Sequence, residues 1–159
     1  MKIKIYIGLV LLVFLMAGCF KTPSYPEEPV ITFNGFTNTN TVYTLGEPGS
    51  LLVDFTDGDG DLGLRGADSS SKMFLINVQD SLLSFPYNIP EIPRKGTSIA
   101  IDGTIDVKLT SLFSETDYSL YFITKGITQD TFQFNVYITD RSGNSSNVIL
   151  TPPMIVKLP

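Results

Sequence analysis

Phe132-Gln133-Phe134-Asn135-Val136-Tyr137-Ile138-Thr139 decides the fold class. Successive side chains of an extended backbone point to opposite faces. Apolar residues at 132, 134, 136 and 138 therefore mark a strand with one buried face. Leu51-Leu52-Val53-Asp54-Phe55-Thr56 repeats the pattern, with Leu51, Val53 and Phe55 facing inward. Weaker runs cover residues 30–33, 73–78, 105–109, 118–124 and 147–150, the last continuing over 154–158 beyond Pro152-Pro153. No stretch shows helical periodicity.

About seven short strands separated by Gly, Asn, Asp and Pro turns predict an all-β chain, an Ig-like antiparallel β-sandwich. The reason is that a half-buried sheet needs a second apolar face to cover it. An open antiparallel sheet or a small barrel would use the same pattern. With Trp absent and a single Cys, the Cys…Trp…Cys arrangement of antibody domains is excluded.

The 159 residues carry 11 Lys+Arg against 16 Asp+Glu, a formal net charge of −5. Lys2 and Lys4 fall in the amino-terminal leader, so the remainder is more acidic still. Nucleic-acid binding is not expected, because phosphates demand a basic face.

The leader itself has three parts. Met1-Lys2-Ile3-Lys4 is basic, residues 5–14 are apolar, and Leu15-Met16-Ala17-Gly18-Cys19 ends in small residues before a cysteine. This stretch resembles the lipobox of bacterial lipoproteins, departing from it at Met16, where the family has Leu. The resemblance implies cleavage before Cys19, a diacylglyceryl thioether on its sulfur and an amide-linked acyl chain. Each buried methylene contributes about 0.8 kcal/mol, and two or more chains anchor firmly where one does not. The apolar run is shorter than the ~20 residues needed to span a bilayer. Cys19 is the only cysteine, so no disulfide forms within the chain.

The expected organisation is a signal peptide over residues 1–18, a lipidated Cys19 with a Pro-rich tether over 19–29, and a β-sandwich over 30–159. Pro23, Pro26 and Pro29 bias the tether toward polyproline geometry, about 3.1 Å per residue and so about 30 Å of reach. Outer-membrane attachment follows as an expectation.

One loop concentrates charge. Asp57-Gly58-Asp59-Gly60-Asp61-Leu62-Gly63 sets three carboxylates at alternate positions. Glycine lets the backbone curl so that they converge, and converging carboxylates repel one another, which a hard divalent cation with oxygen ligands relieves best. The loop resembles the first half of an EF-hand, with Asp68 at its twelfth position. Leu62 stands where that motif needs glycine, Asp68 stands where it needs glutamate, and flanking helices are missing. A simpler Asp-rich Ca2+ loop is expected, for which a dissociation constant of about 10⁻⁴–10⁻³ M suffices outside the cell. Asp140-Arg141-Ser142-Gly143-Asn144 follows the strongest strand and resembles the Asp-x-x-Gly-Asn turn of bacterial Ig-like domains. Loops after the second and sixth strands share a pole, so Asp140 and Asn144 are expected to add oxygens to the ion. The alternative is that both loops are solvated turns, where Asp, Asn and Gly serve the backbone alone.

Residues 55–63 and 136–147, together with the lipobox, resemble a group of small Bacteroidetes lipoproteins, which implies an exported Ig-like domain and supplies no activity. No enzyme is expected. Histidine is absent, which removes the usual base near neutral pH and the usual triad and zinc residue. Asp57, Asp59 and Asp61 sit too close in one turn to flank a glycosidic bond. A role in binding a glycan or protein rests on Ser84-Phe85-Pro86-Tyr87-Asn88-Ile89-Pro90-Glu91-Ile92-Pro93-Arg94-Lys95-Gly96. Its apolar side chains are expected to fold back as a lid on the core; exposed, they would dock a partner.

Overall fold

The computed structural model describes residues 24–37, 42–80, 83–94, 96 and 98–159, and the leader and Cys19 lie outside the described residues. In chain order the elements are β1 (Val30–Thr37), β2 (Val42–Thr44), β3 (Ser50–Asp57), β4 (Lys72–Asn77), β5 (Ser84–Asn88), β6 (Ile101–Lys108), α1 (Leu109–Leu112), α2 (Glu115–Lys125), β7 (Gln129–Phe132), β8 (Phe134–Thr139), β9 (Ile149–Leu150) and β10 (Met154–Lys157).

Seven of the strands form the sandwich. One sheet has the order β1-β3-β6 and the other β5-β4-β8-β9, all neighbours antiparallel. Period two is realised on both sides of the core. Leu51, Val53 and Phe55 of β3 and Ile105 and Val107 of β6 face Met73 and Leu75 of β4 and Phe134, Val136 and Ile138 of β8 in one buried cluster. β5 is an edge strand, which is why Pro86 is tolerated within it. At the open edge between the sheets the side chain of Asn147 acts like a strand: its Oδ1 accepts from Ile31 N at 2.9 Å and its Nδ2 donates to Ile31 O at 2.9 Å.

The expectation of strands alone fails between β6 and β8. Residues 118–124 are helical, within α2, and not a strand. Tyr118 and Phe122, four apart, are buried, whereas Leu120 and Ile123 are exposed, so the apolar residues do not form one stripe and the β-prone Tyr-Tyr-Phe-Ile-Thr composition dominates the pattern. The helix is decided at its ends. Glu115 and Asp117 occupy the first turn, Lys125 the last, and beyond it Gly126 N and Ile127 N donate to Ile123 O and Phe122 O. Under α1 and α2 the Phe113 ring meets Tyr118 and Phe132 edge-on, with centroids 4.9 and 5.1 Å apart. A third sheet, β2-β10-β7, was not expected: β10 falls in the run read over 154–158, while the strand read over 132–139 is interrupted at Gln133, so that Phe132 ends β7 and β8 begins at Phe134; β10 is parallel to β2 and antiparallel to β7.

The segment after β4 lies on the core: Ile89 is fully buried, and Phe85, Tyr87 and Ile92 pack against the core half-buried. The tether end does not stand free. Gly58 N donates to Pro26 O at 2.7 Å, and a Cβ at Gly58 would strike the carbonyl oxygens of Tyr25 and Pro26, so glycine is what lets the incoming chain lie against this loop.

Candidate functional site

Alternation along β3 sends Asp57 inward. It follows Leu51, Val53 and Phe55 on the core face and is 0% exposed. A buried carboxylate needs donors, and the loop it opens supplies two: Asp57 Oδ2 accepts from Asp61 N at 3.0 Å and Leu62 N at 2.9 Å. Leu62 plugs the core beneath the curl. Gly60, at φ 68°, makes the turn, and a Cβ there would fall on the carbonyl oxygen of Ile99.

The curl brings Asp57, Asp59 and Asp61 together, with one carboxylate oxygen from each lying within 4.8 Å of the others. The Oδ1 atoms of all three are buried and have no hydrogen-bond partner. Burial pushes the Asp57 carboxyl up to about 6; the Leu62 amide draws it back, while Asp59 and Asp61 add to the rise. Three orphaned oxygens in one place fit a hard cation. Ligands on one Ca2+ with bonds of about 2.3–2.6 Å stand at most about 5 Å apart.

The loops after β3 and β8 share a pole and are tied together. Asp61 Oδ2 accepts from Ser142 N at 2.9 Å and Ser142 Oγ at 2.6 Å. Arg141 Nη1 donates to Gly63 O at 2.6 Å, and Ser71 Oγ accepts from Gly63 N and donates to Thr139 O. Asp140 and Asn144 are close by without joining the carboxylate group. Asp140 Oδ1 accepts from Asn144 N and Oδ2 from Asn144 Nδ2, both at 2.8 Å, so the pair closes its own turn. Asp68 is exposed and accepts from Ser70. Ser71, Arg141 and Ser142 are thus the supports that sequence reasoning missed. Arg141 and Ser142 lie inside the turn already singled out by its spacing, whereas nothing local marks Ser71.

Among the described residues no helix is long and apolar enough to cross a membrane. No family model, curated protein or solved structure matches the chain.

Proposed function

We propose that the chain is a non-catalytic lipoprotein of the outer membrane, held by lipid on Cys19, whose Ig-like domain has a structural or interaction role and takes a structural Ca2+ at Asp57, Asp59 and Asp61. The anchor rests on the lipobox at Leu15-Met16-Ala17-Gly18-Cys19. The cation rests on one observation, the three buried, partnerless carboxylate oxygens at the end of β3. The ion would neutralise their repulsion and brace the loop.

The anchor is tested in cells. Wild-type protein incorporates metabolically supplied palmitate, and Cys19→Ser neither takes the label nor stays in the membrane fraction. Absence of label from the wild type refutes the reading.

A second reading, a glycan- or protein-binding accessory of an uptake system, is favoured by a different feature. Phe85, Leu112, Tyr118 and Tyr121 line an apolar cavity of about 430 Å³ beside α2. Aromatic faces of this kind suit sugar rings and apolar side chains. A glycan array and a pull-down with the full chain test it: signal abolished by Tyr121→Ala supports it, and a blank in both removes it.

A further inference from the structure

The chain has three arginines, Arg65, Arg94 and Arg141, and all three line one cavity of about 200 Å³. In a chain of net charge −5 this is a local inversion of sign. The cavity lies against the carboxylate loop, whose Gly60 and Leu62 form part of its wall, and Ile92 and Pro93 contribute an apolar side. Arg141 is fixed in place, because its Nη1 is held by Gly63 O. Arg65 and Arg94 are exposed, and among the described residues their guanidinium groups make no hydrogen bond or ion pair. Glu91 is the acidic group among the lining residues, which leaves an excess of about two positive charges on the wall itself, with Asp68 near Arg141 and the carboxylates of the adjoining loop standing behind it.

We propose that this three-arginine cavity is a binding site for a phosphate group. The reasons are charge and shape. A phosphate monoester carries about −1.5 to −2 charge near neutral pH, matching the excess, where a carboxylate carries less. Planar guanidinium forks bind phosphate oxygens two at a time. Arg141, already immobilised, loses little side-chain entropy on binding. Residues 24–29 enter the domain beside Gly58 of the adjoining loop. If Cys19 is anchored, as proposed above, the four residues between it and Ser24 can span at most about 18 Å, which keeps this end of the domain near the lipid headgroups. A headgroup and a free phosphate compound share the chemistry, and the test separates them.

The full chain in non-ionic detergent is titrated calorimetrically with inorganic phosphate, in chelator so that cation binding plays no part. A second titration uses mixed micelles containing phosphatidic acid. Saturable binding in at least one arm that falls tenfold or more in Arg65→Ala/Arg94→Ala supports the site. Arg65→Lys/Arg94→Lys retains charge without the fork and should fall between the two; it also serves as the readout if the alanine pair melts early. Tighter binding to phosphatidic acid than to phosphate assigns the headgroup as the source, and equal or weaker binding assigns a free phosphate compound. Binding in neither arm, or binding unchanged in both double variants, overturns the site. Because the protein is in detergent and chelator, neither outcome depends on lipid at Cys19 or on the cation.

Discussion

Asp57 stands where two demands conflict: the pleat of β3 turns it into the core, and the loop it begins uses only one of its oxygens, Oδ2. Its carboxyl titrates at about 6 against an ordinary value of 3.8, so the folded protein holds the proton more tightly than the unfolded chain. The contribution of this group to stability is therefore greatest below pH 3.8 and is lost as the pH rises through about 6, unless a cation replaces the proton. For a dissociation constant of about 10⁻⁴ M, 1 mM Ca2+ adds roughly 1.4 kcal/mol, a few degrees in Tm. Asp57→Asn keeps an acceptor for Asp61 N and Leu62 N without the charge. In chelator at pH 7.5 the variant should melt above the wild type, and the two should converge as the pH falls toward 4; 1 mM Ca2+ should raise the melting temperature of the wild type by a few degrees and leave that of the variant nearly unchanged. Wild-type melting that is the same in Ca2+ and in chelator would end the cation reading. Convergence of the three aspartates was legible from their alternation through glycine. The pairing of Asp140 with Asn144 was not, because Asp and Asn side chains satisfy the backbone of their own turn as readily as they bind an ion.

The elements were readable where they are long and one-faced, as in β3 and β8, and unreadable where the pattern is mixed. In α2 the exposed Leu120 and Ile123 blur the stripe, so only its end signals, acidic at the start and Lys125-Gly126 at the finish, mark the helix. The third sheet escaped notice because β2 and β7, three and four residues long, are too short to display a period, so the run over 154–158 that contains β10 had no visible partner. Two tyrosines three positions apart on α2 should respond with opposite sign. Tyr118 Oη is buried without a partner, and burial pushes its pKa well above the usual phenol value. Removing it in Tyr118→Phe should leave Tm unchanged or raise stability by about 1 kcal/mol. Tyr121 Oη donates to Asp130 Oδ2 at 2.7 Å and accepts from Lys125 Nζ at 2.8 Å. Tyr121→Phe should cost about 0.5–1.5 kcal/mol. Thermal melts of both variants decide it, and a clear loss in Tyr118→Phe would show that its hydroxyl is satisfied by solvent or ligand.

Across the whole molecule, the arrangement of the two sheets brings the β3 and β8 loops to one pole, as expected from those two strands, although the strand count behind that expectation took residues 118–124 for a strand and β5 for a connection. The contacts that lock this pole, Ser71 to Thr139 and Ser142 to Asp61, join residues 68 and 81 positions apart and have no local signature. The same order carries the chain from the end of β6 into α1 and α2 at the opposite pole, since Asp57 pairs with Ile101 and Ser50 with Lys108. β3 runs eight residues between the two ends, about 26 Å. The chain thus enters at its acid- and arginine-rich end, beside Gly58, and carries Leu120 and Ile123 a strand's length away. If Cys19 carries the proposed anchor, an approach from the opposite pole meets a helix whose outer side sets Leu120 and Ile123 among Glu115, Asp117, Thr124 and Lys125.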